Sequence, residues 1–331
     1  MKNKENMKDK LNLFTHDGNF HADDVFATAL LSFTADEINV VRGNDQELPE
    51  DSSDWIIFDI GGGELDHHTP ENKEANGCHP GTDIPYASCG LVWRKYYKEI
   101  LEYFDCPEQY VDRVFNSLDV SLIQGIDADD NGYNPLKEEL DRYPYLQKDQ
   151  KNDILRAARA NYAVFQIIKD FNPPWNSDLD HYEAFLDAVE TAKTILINRI
   201  DSILSRLEGR DYVQQCIDFS SNHLMIMDEF APWEGVLYSQ STNPKANDIW
   251  YVVSPARRGG WNLHSVLLNS DDRNTFRHPL PEEWYGLRNE ELQKVSGIKT
   301  ASFCHPSGFL AGAETEEDVI AMAQIGITRK H

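Results

Sequence analysis

The chain has 331 residues, 40% of them hydrophobic, with 56 Asp and Glu against 31 Lys and Arg for a formal charge of −25. This composition excludes a disordered chain and predicts about two domains around a large core. The acidic balance opposes non-specific binding of long polyanions, because that affinity comes mostly from phosphate neutralisation; an anionic substrate would need metal ions or a local basic patch. Residues 1–10 are charged and lack the apolar centre of a signal peptide, so they read as a disordered leader of a cytoplasmic protein. No apolar run reaches the length of a membrane span, and no membrane partner is expected.

An apolar strand (Leu11, Leu13, Phe14) feeds the loop Thr15–Asp24, and a helical pattern (Val25, Phe26, Ala29, Leu30) follows. Ten residues there hold His16, His21, Asp17, Asp23 and Asp24. In open α/β sheets such a junction lies where ligands bind. Imidazole nitrogens and carboxylate oxygens at this density suit a transition metal; in the plainer reading Asp23 caps the helix. A second strand covers Ile38, Val40 and Val41. The apolar run Trp55–Ile60 predicts a central parallel strand covered on both faces. It carries Asp59 to the sheet edge reached by His16, and Gly61–Gly63 permit close backbone approach. Asp66-His67-His68 is a second ligand-rich stretch, its acid suited to hold a ring N–H and set a tautomer. Residues 69–84 read as a loop with His79 at the surface.

Ser88 and Gly90 open a helix and are suited either to an anion or to tight packing. Helical spacing recurs from Val111 to Ile123 and ends in an acidic turn with Asp127, Asp129 and Asp130. Residues 133–150 look like a connection, and 151–168 and 181–207 look helical, with Ser177 or Asp178 capping the second. From about 211 short strands appear: Leu224–Met227, Ile249–Val253 and Ser302–Cys304. Two turns there, Arg257-Arg258-Gly259-Gly260 and His305-Pro306-Ser307-Gly308, are equipped to grip a phosphate or simply to close hairpins. A final helix covers Glu316–Ala323. The cysteines Cys78, Cys89, Cys106, Cys216 and Cys304 are odd in number and form no CxxC pair, which favours free thiols over disulfides.

Together the motifs His16…His21-Ala22-Asp23-Asp24, Asp59-Ile60-Gly61-Gly62, Asp66-His67-His68, Ser88-Cys89-Gly90 and Asp127-Ala128-Asp129-Asp130-Asn131-Gly132 resemble the Myg1-type family, related to the DHH phosphoesterases. Leu280–Arg288 and His305–Phe309 extend the resemblance to about residue 325. It implies an α/β protein with a DHH-like parallel-sheet catalytic domain over 11–145, a helical connection over 146–210 and a smaller α/β substrate-binding domain over 211–331. It implies two divalent cations per chain, manganese first, with magnesium or zinc as alternatives. His16, Asp23 and His67 would bind metal, Asp59 would bridge, His21 would be a further ligand, and Asp127 would complete the set, with Asp130 as its competitor. His68 would face the substrate, Asp66 would orient a histidine, and Ser88, Gly90, Arg257, Arg258, His305, Ser307 and Gly308 would hold substrate. One departure is the spacing His16-x4-His21-x-Asp23, where many superfamily members have His-x3-Asp-x-Asp.

The implied activity is 3′–5′ exonucleolytic cleavage of RNA, short oligonucleotides or small phosphoesters by two-metal activation of water. Two rivals are a metal- or nucleotide-sensing module with little turnover and a metal-dependent hydrolase of a non-nucleotide substrate. The sequence leaves the oligomeric state open, a homodimer included.

Overall fold

The computed structural model describes residues 8–152, 164–238, 243–269 and 275–329. Most of the expected leader and part of the expected 151–168 helix lie outside them. The chain divides into two compact units, one through Leu204 and one from Ser205. Much of the segment expected as a separate connection is therefore part of the first unit.

The first unit holds a three-stranded parallel sheet in the order β2-β1-β3. β1 (Lys8–His16) is central, between β2 (Ala35–Gly43) and β3 (Trp55–Ile57). β1 begins at Lys8, inside the expected leader, because Lys8 and Lys10 already pair with Ala35 and Glu37. The expectation of a central strand at Trp55–Ile60 is corrected: β3 is a short edge strand. Its ladder to β1 stops at Phe14 and Ile57. The chain then turns through Asp59 at φ 60° and through Gly61 and Gly62, both at positive φ.

α1 (Ala22–Leu31) is buried along its whole length and packs on α3 (Ser88–Tyr103). A helix apolar on most sides belongs in the core; the exceptions are the acids of its first turn and Thr28, whose hydroxyl donates to Asp24 O. α2 (Pro70–Asn76) is capped by Thr69, whose hydroxyl accepts from Asn72 N. α4 (Val111–Leu118) runs through a π-turn at Asp119–Ile123 into α5 (Gln124–Asp130), so the acidic stretch expected as a turn is mostly helical. α6 (Pro135–Asp141) and α7 (Val164–Lys169) follow. α8 (His181–Phe219) is capped by Asp180, which accepts from Tyr182 N and Glu183 N, rather than by Ser177 or Asp178.

The second unit holds a mixed five-stranded sheet in the order β4-β5-β6-β8-β7. Its strands are β4 (Leu224–Ile226), β5 (Tyr251–Pro255), β6 (Trp261–Ser265), β7 (Ala301–Cys304) and β8 (Leu310–Ala313). Successive strand residues face opposite sides. Accordingly Tyr251 and Val253 join one core cluster with Trp284 and Met322, and Val252 joins another with Trp233 and Val213. Both faces are thus covered, with α9 (Glu234–Tyr238), α10 (Lys245–Asp248), α11 (Asn289–Ser296) and α12 (Glu316–Thr328) completing the unit. No helix among the described residues is long and apolar enough to cross a membrane.

Candidate metal centre

β1 delivers His16 to the carboxyl end of the parallel sheet, and the register with β3 brings Asp59 beside it. Asp59 is the hub of the cluster. Its Oδ2 lies 3.3 Å from His16 Nε2. Its Oδ1 accepts from the Ser88 hydroxyl at 3.1 Å and lies 3.5 Å from His67 Nδ1. The left-handed backbone at Asp59 costs on the order of 1–3 kcal/mol, and its N–H is held by Leu65 O. A residue kept in that conformation at the end of a strand fits a positional requirement on its side chain.

The first turn of α1 supplies two more buried carboxylates. Asp24 Oδ1 accepts from His21 N and Val25 N at 2.8 and 3.0 Å. Its Oδ2 accepts no hydrogen bond and lies 3.4 Å from His16 Nε2 and 3.5 Å from Arg42 Nη2. The Arg42 guanidinium sits 4.5 Å over Phe185 and 5.5 Å over Phe20. Burial is the main force raising the Asp24 carboxyl to about 7, against the opposing pull of His16. Burial also tends to lower His16, but Asp59 and Asp24 outweigh it and raise the imidazole to about 9.

Asp23 turns the other way and caps α3, accepting from Ser88 N at 3.0 Å and Cys89 N at 2.6 Å. Asp127 Oδ1 accepts from the next amide, Gly90 N, at 3.0 Å. A Cβ at Gly90 would fall 1.9 Å from Asp127 Oδ2. Glycine there admits the carboxylate. These first-turn amides are therefore committed to protein carboxylates, which corrects the expectation that Ser88 and Gly90 offer theirs to a substrate anion. Ser88 keeps a different part through its hydroxyl, which also lies 3.3 Å from His67 Nδ1.

His67 is buried and its Nε2 meets Asp130 Oδ2 at 2.9 Å. His68 stacks on it, ring centroids 4.3 Å apart, but is 59% exposed at the side chain. His68 Nδ1 meets Asp66 Oδ1 at 2.7 Å, and Asp66 Oδ2 accepts from Gly62 N. Burial opposes ionisation of Asp66, yet the bonds from His68 and Gly62 hold it at about 2. His68 is raised in turn, chiefly by Asp66.

His79 is corrected from the surface to the interior, 1% exposed. Its Nε2 meets Asp127 Oδ2 at 2.8 Å and its Nδ1 lies 3.0 Å from Asp119 Oδ1. Burial works to lower its pKa, and the two carboxylates outweigh it, raising the ring to about 9. The π-turn makes this clamp geometrically available. At about 100° per residue, two residues eight apart on a straight α-helix would point about 80° apart. One residue absorbed by the π-turn returns Asp119 and Asp127 to one face.

Three groups of ligand atoms, each within 4.8 Å, follow: His16, Asp24 and Asp59; Asp59, Asp66, His67 and His68; Asp23, His67 and Asp130. The groups share Asp59 and His67. The preference for Asp127 as the last carboxylate is corrected: the structure brings its competitor Asp130 to His67 and His21 and commits Asp127 to His79 and Gly90. His21 stands on the rim, 3.5 Å from Asp130 Oδ1. The arrangement fits a divalent cation on physical grounds. Burial first, then the charges of Asp59, Asp130 and Asp127, push Asp23 well above the usual carboxylate range. Several carboxylates converge there, and Asp24 Oδ2 is left without a donor. Burying such charge without full compensation costs several kcal/mol per ion. Mixed nitrogen and oxygen donors suit manganese or zinc.

In the second unit Arg257 and Arg258 lie in the β5–β6 turn, and His305, Ser307 and Gly308 in the β7–β8 turn. Trp261 pairs with Ala313, whereas His264 pairs with Leu310. The two turns therefore lie at opposite ends of the sheet. Ser307 N and Oγ bond His305 Nδ1 at 3.2 and 2.9 Å. A Cβ at Gly308 would meet Tyr285 at 2.3 Å, so this glycine serves packing as well as the turn.

Sequence reasoning overlooked the roles of Asp24, Arg42, Asp119 and His79. Asp24 adjoins Asp23 and was visible as part of an acid pair. The others are separated by tens of residues from their partners and carry no local signature.

The sequence profile MYG1_exonuc, described as an uncharacterised protein family (UPF0160), matches residues 12–327. A Dictyostelium discoideum MYG1 protein is 29% identical over 95% of this chain and 95% of its own length. The human MYG1 exonuclease is 28% identical over 96% of this chain and 85% of its own. A crystal structure of RecJ in complex with Mn2+ from Thermus thermophilus aligns with 97% of this chain and 52% of its own, at 12% identity and a TM-score of 0.28, too slight a likeness to bear on the fold. With a family match running through both units, the chain belongs to the MYG1 (UPF0160) family.

Proposed function

We propose that this protein is a metal-dependent phosphodiesterase that removes nucleotides from RNA or short oligonucleotides in the 3′–5′ direction, using two divalent cations per chain, manganese foremost. The observation that carries the reading is Asp59, whose two oxygens face His16 on one side and His67 on the other. That is the layout of a carboxylate shared between two cation positions, His16 with Asp24 and His67 with Asp23 and Asp130. The relatives named exonucleases support the substrate class, and the sequence resemblance supplies the direction.

Cations held by these residues would lower the pKa of water and neutralise charge on phosphoryl oxygens. The chain's own residues divide the remaining work. Ser88 donates to Asp59 and fixes its rotamer, and Asp66 fixes the His68 ring. His68, exposed and with its pKa raised chiefly by the Asp66 hydrogen bond, lines a cavity of about 410 Å³ with His16, His21 and Asp59. It is placed to donate a hydrogen bond to a phosphoryl oxygen.

The test is hydrolysis of an end-labelled short RNA, with a dinucleotide and pyrophosphate alongside, by protein stripped of metal and resupplied with manganese, magnesium or zinc. Stepwise nucleotide release should fall by on the order of 10³-fold in Asp59→Ala, the scale of losing a main electrostatic stabiliser. Absence of release with every metal, or full release by Asp59→Ala, would refute the assignment.

A further inference from the structure

Beside the metal centre, on the far side of His21, the first unit has a second cavity of about 440 Å³. That volume falls in the range of small-molecule sites, roughly 300–1,000 Å³. One wall is the edge of the metal cluster, Asp23 and Asp130, while Phe165 and Ile126 contribute apolar surface. Lys169, at the end of α7, also lines it and is exposed. Among the described residues lining the cavity it is the sole Lys or Arg.

The position of α7 against the site loop is fixed. Asn172, three residues past Lys169, accepts from Phe20 N at 2.9 Å and donates to Phe20 O at 2.9 Å. Both backbone groups of a residue between His16 and His21 are thereby tied to the turn that ends α7. Lys169 and Phe165 are four residues apart, one turn of the same helix, so they share a face. The cavity thus pairs a cation with an aromatic ring, next to a cluster of metal-ligand type, in a chain of formal charge −25.

We infer that this cavity is the subsite for a single nucleotide, with Lys169 binding its phosphate and Phe165 contacting its base. The inference rests on the phosphodiesterase reading for the identity of the neighbouring cations and adds what lies beyond them. A phosphate placed between the cation positions and Lys169 is held on both sides. The apolar wall accepts a base without reading its edges, because every base presents a π-face. The subsite therefore favours nucleotides over bare phosphate and discriminates little among bases.

The test is calorimetric binding of adenosine 5′-monophosphate, ribose 5-phosphate and inorganic phosphate to the full chain loaded with manganese. Adenosine 5′-monophosphate should bind about tenfold more tightly than ribose 5-phosphate, the scale of one stacked base, and Phe165→Ala should erase that difference. Lys169→Gln should weaken both ligands about tenfold, the scale of a charge-assisted hydrogen bond, and Lys169→Arg should restore most of the loss. Failure of adenosine 5′-monophosphate to bind, or equal affinities across these variants, would overturn the subsite. RNA turnover by the wild type and Asp59→Ala, measured in parallel, reports on the phosphodiesterase reading separately. Turnover with affinity indifferent to Lys169 removes only the subsite, and nucleotide binding that depends on Lys169 and Phe165 without turnover removes only the hydrolase.

Discussion

The His79 clamp makes a quantitative demand on stability. The imidazole lies between Asp119 and Asp127, and the folded protein holds its pKa at about 9 against an ordinary value of 6.5. Between those values the native state keeps a proton that the unfolded chain releases. Stability from this group is therefore complete below pH 6.5 and declines as pH rises through 9. A shift of this size corresponds to about 3 kcal/mol. Replacement by Gln removes the titration and leaves two buried carboxylates short of a cation, at a cost of roughly 3–5 kcal/mol. Denaturant melts of the metal-free wild type should therefore show stability falling between pH 6.5 and pH 9, and His79→Gln should be the less stable protein at pH 6. Burial also raises the Asp127 carboxyl to about 6, and without His79 beside it that carboxyl takes up a proton in the same window, so the ring itself is followed by its 15N shifts in the metal-free wild type. A ring already neutral at pH 7.5 would refute the claim that His79 is a buried cation.

Other expectations follow from single contacts. Ser88→Ala removes the hydroxyl bonded to Asp59 and should weaken manganese binding about 10–100-fold, measured by competition with a chelating dye; an unchanged affinity would exclude Ser88 as a support of Asp59. Gly90→Ala forces a methyl into the Asp127 carboxylate and should cost at least about 1–3 kcal/mol in a denaturant melt, with unchanged stability contradicting the close approach. Chelation should lower the melting temperature of metal-loaded protein, since a ligand present at 1,000 times its Kd adds about 4 kcal/mol; identical melts with and without chelator would argue against a metal centre.

Legibility in the sequence followed the range of the interactions. His16, Asp59 and Asp66-His67-His68 stood out because strand ends and adjacent ligand residues leave local marks. The α/β class followed from apolar runs alternating with helical spacing. The edge position of β3 was not legible: a run of Trp, Ile and Phe is apolar whether the third side is another strand or a loop. His79 looked like a surface residue because Gly, Pro and polar neighbours surround it in sequence. Its burial is decided by Asp119 and Asp127, about 40 to 50 residues away in the chain. Choosing Asp130 over Asp127 for contact with the histidines required knowing that the acidic stretch continues a helix and that Gly90 admits one of its carboxylates. Neither fact has a signature in the residues themselves.

The π-turn at Asp119–Ile123 also determines where this chain tolerates a change in length. It holds one residue more than an α-helical turn requires, and Val120 within it is 69% exposed. Deleting Val120 would let the segment close into an ordinary α-helix, with Asp119 and Asp127 still within about 20° of one another. A second deletion between Asp119 and Asp127 would find no spare residue, and would rotate Asp127 and Asp130 about 100° relative to Asp119 and pull the carboxylates off His79 and His67. Within this helical run, changes in length are thus filtered by phase: one residue can be lost with the carboxylates kept in register, and a second cannot.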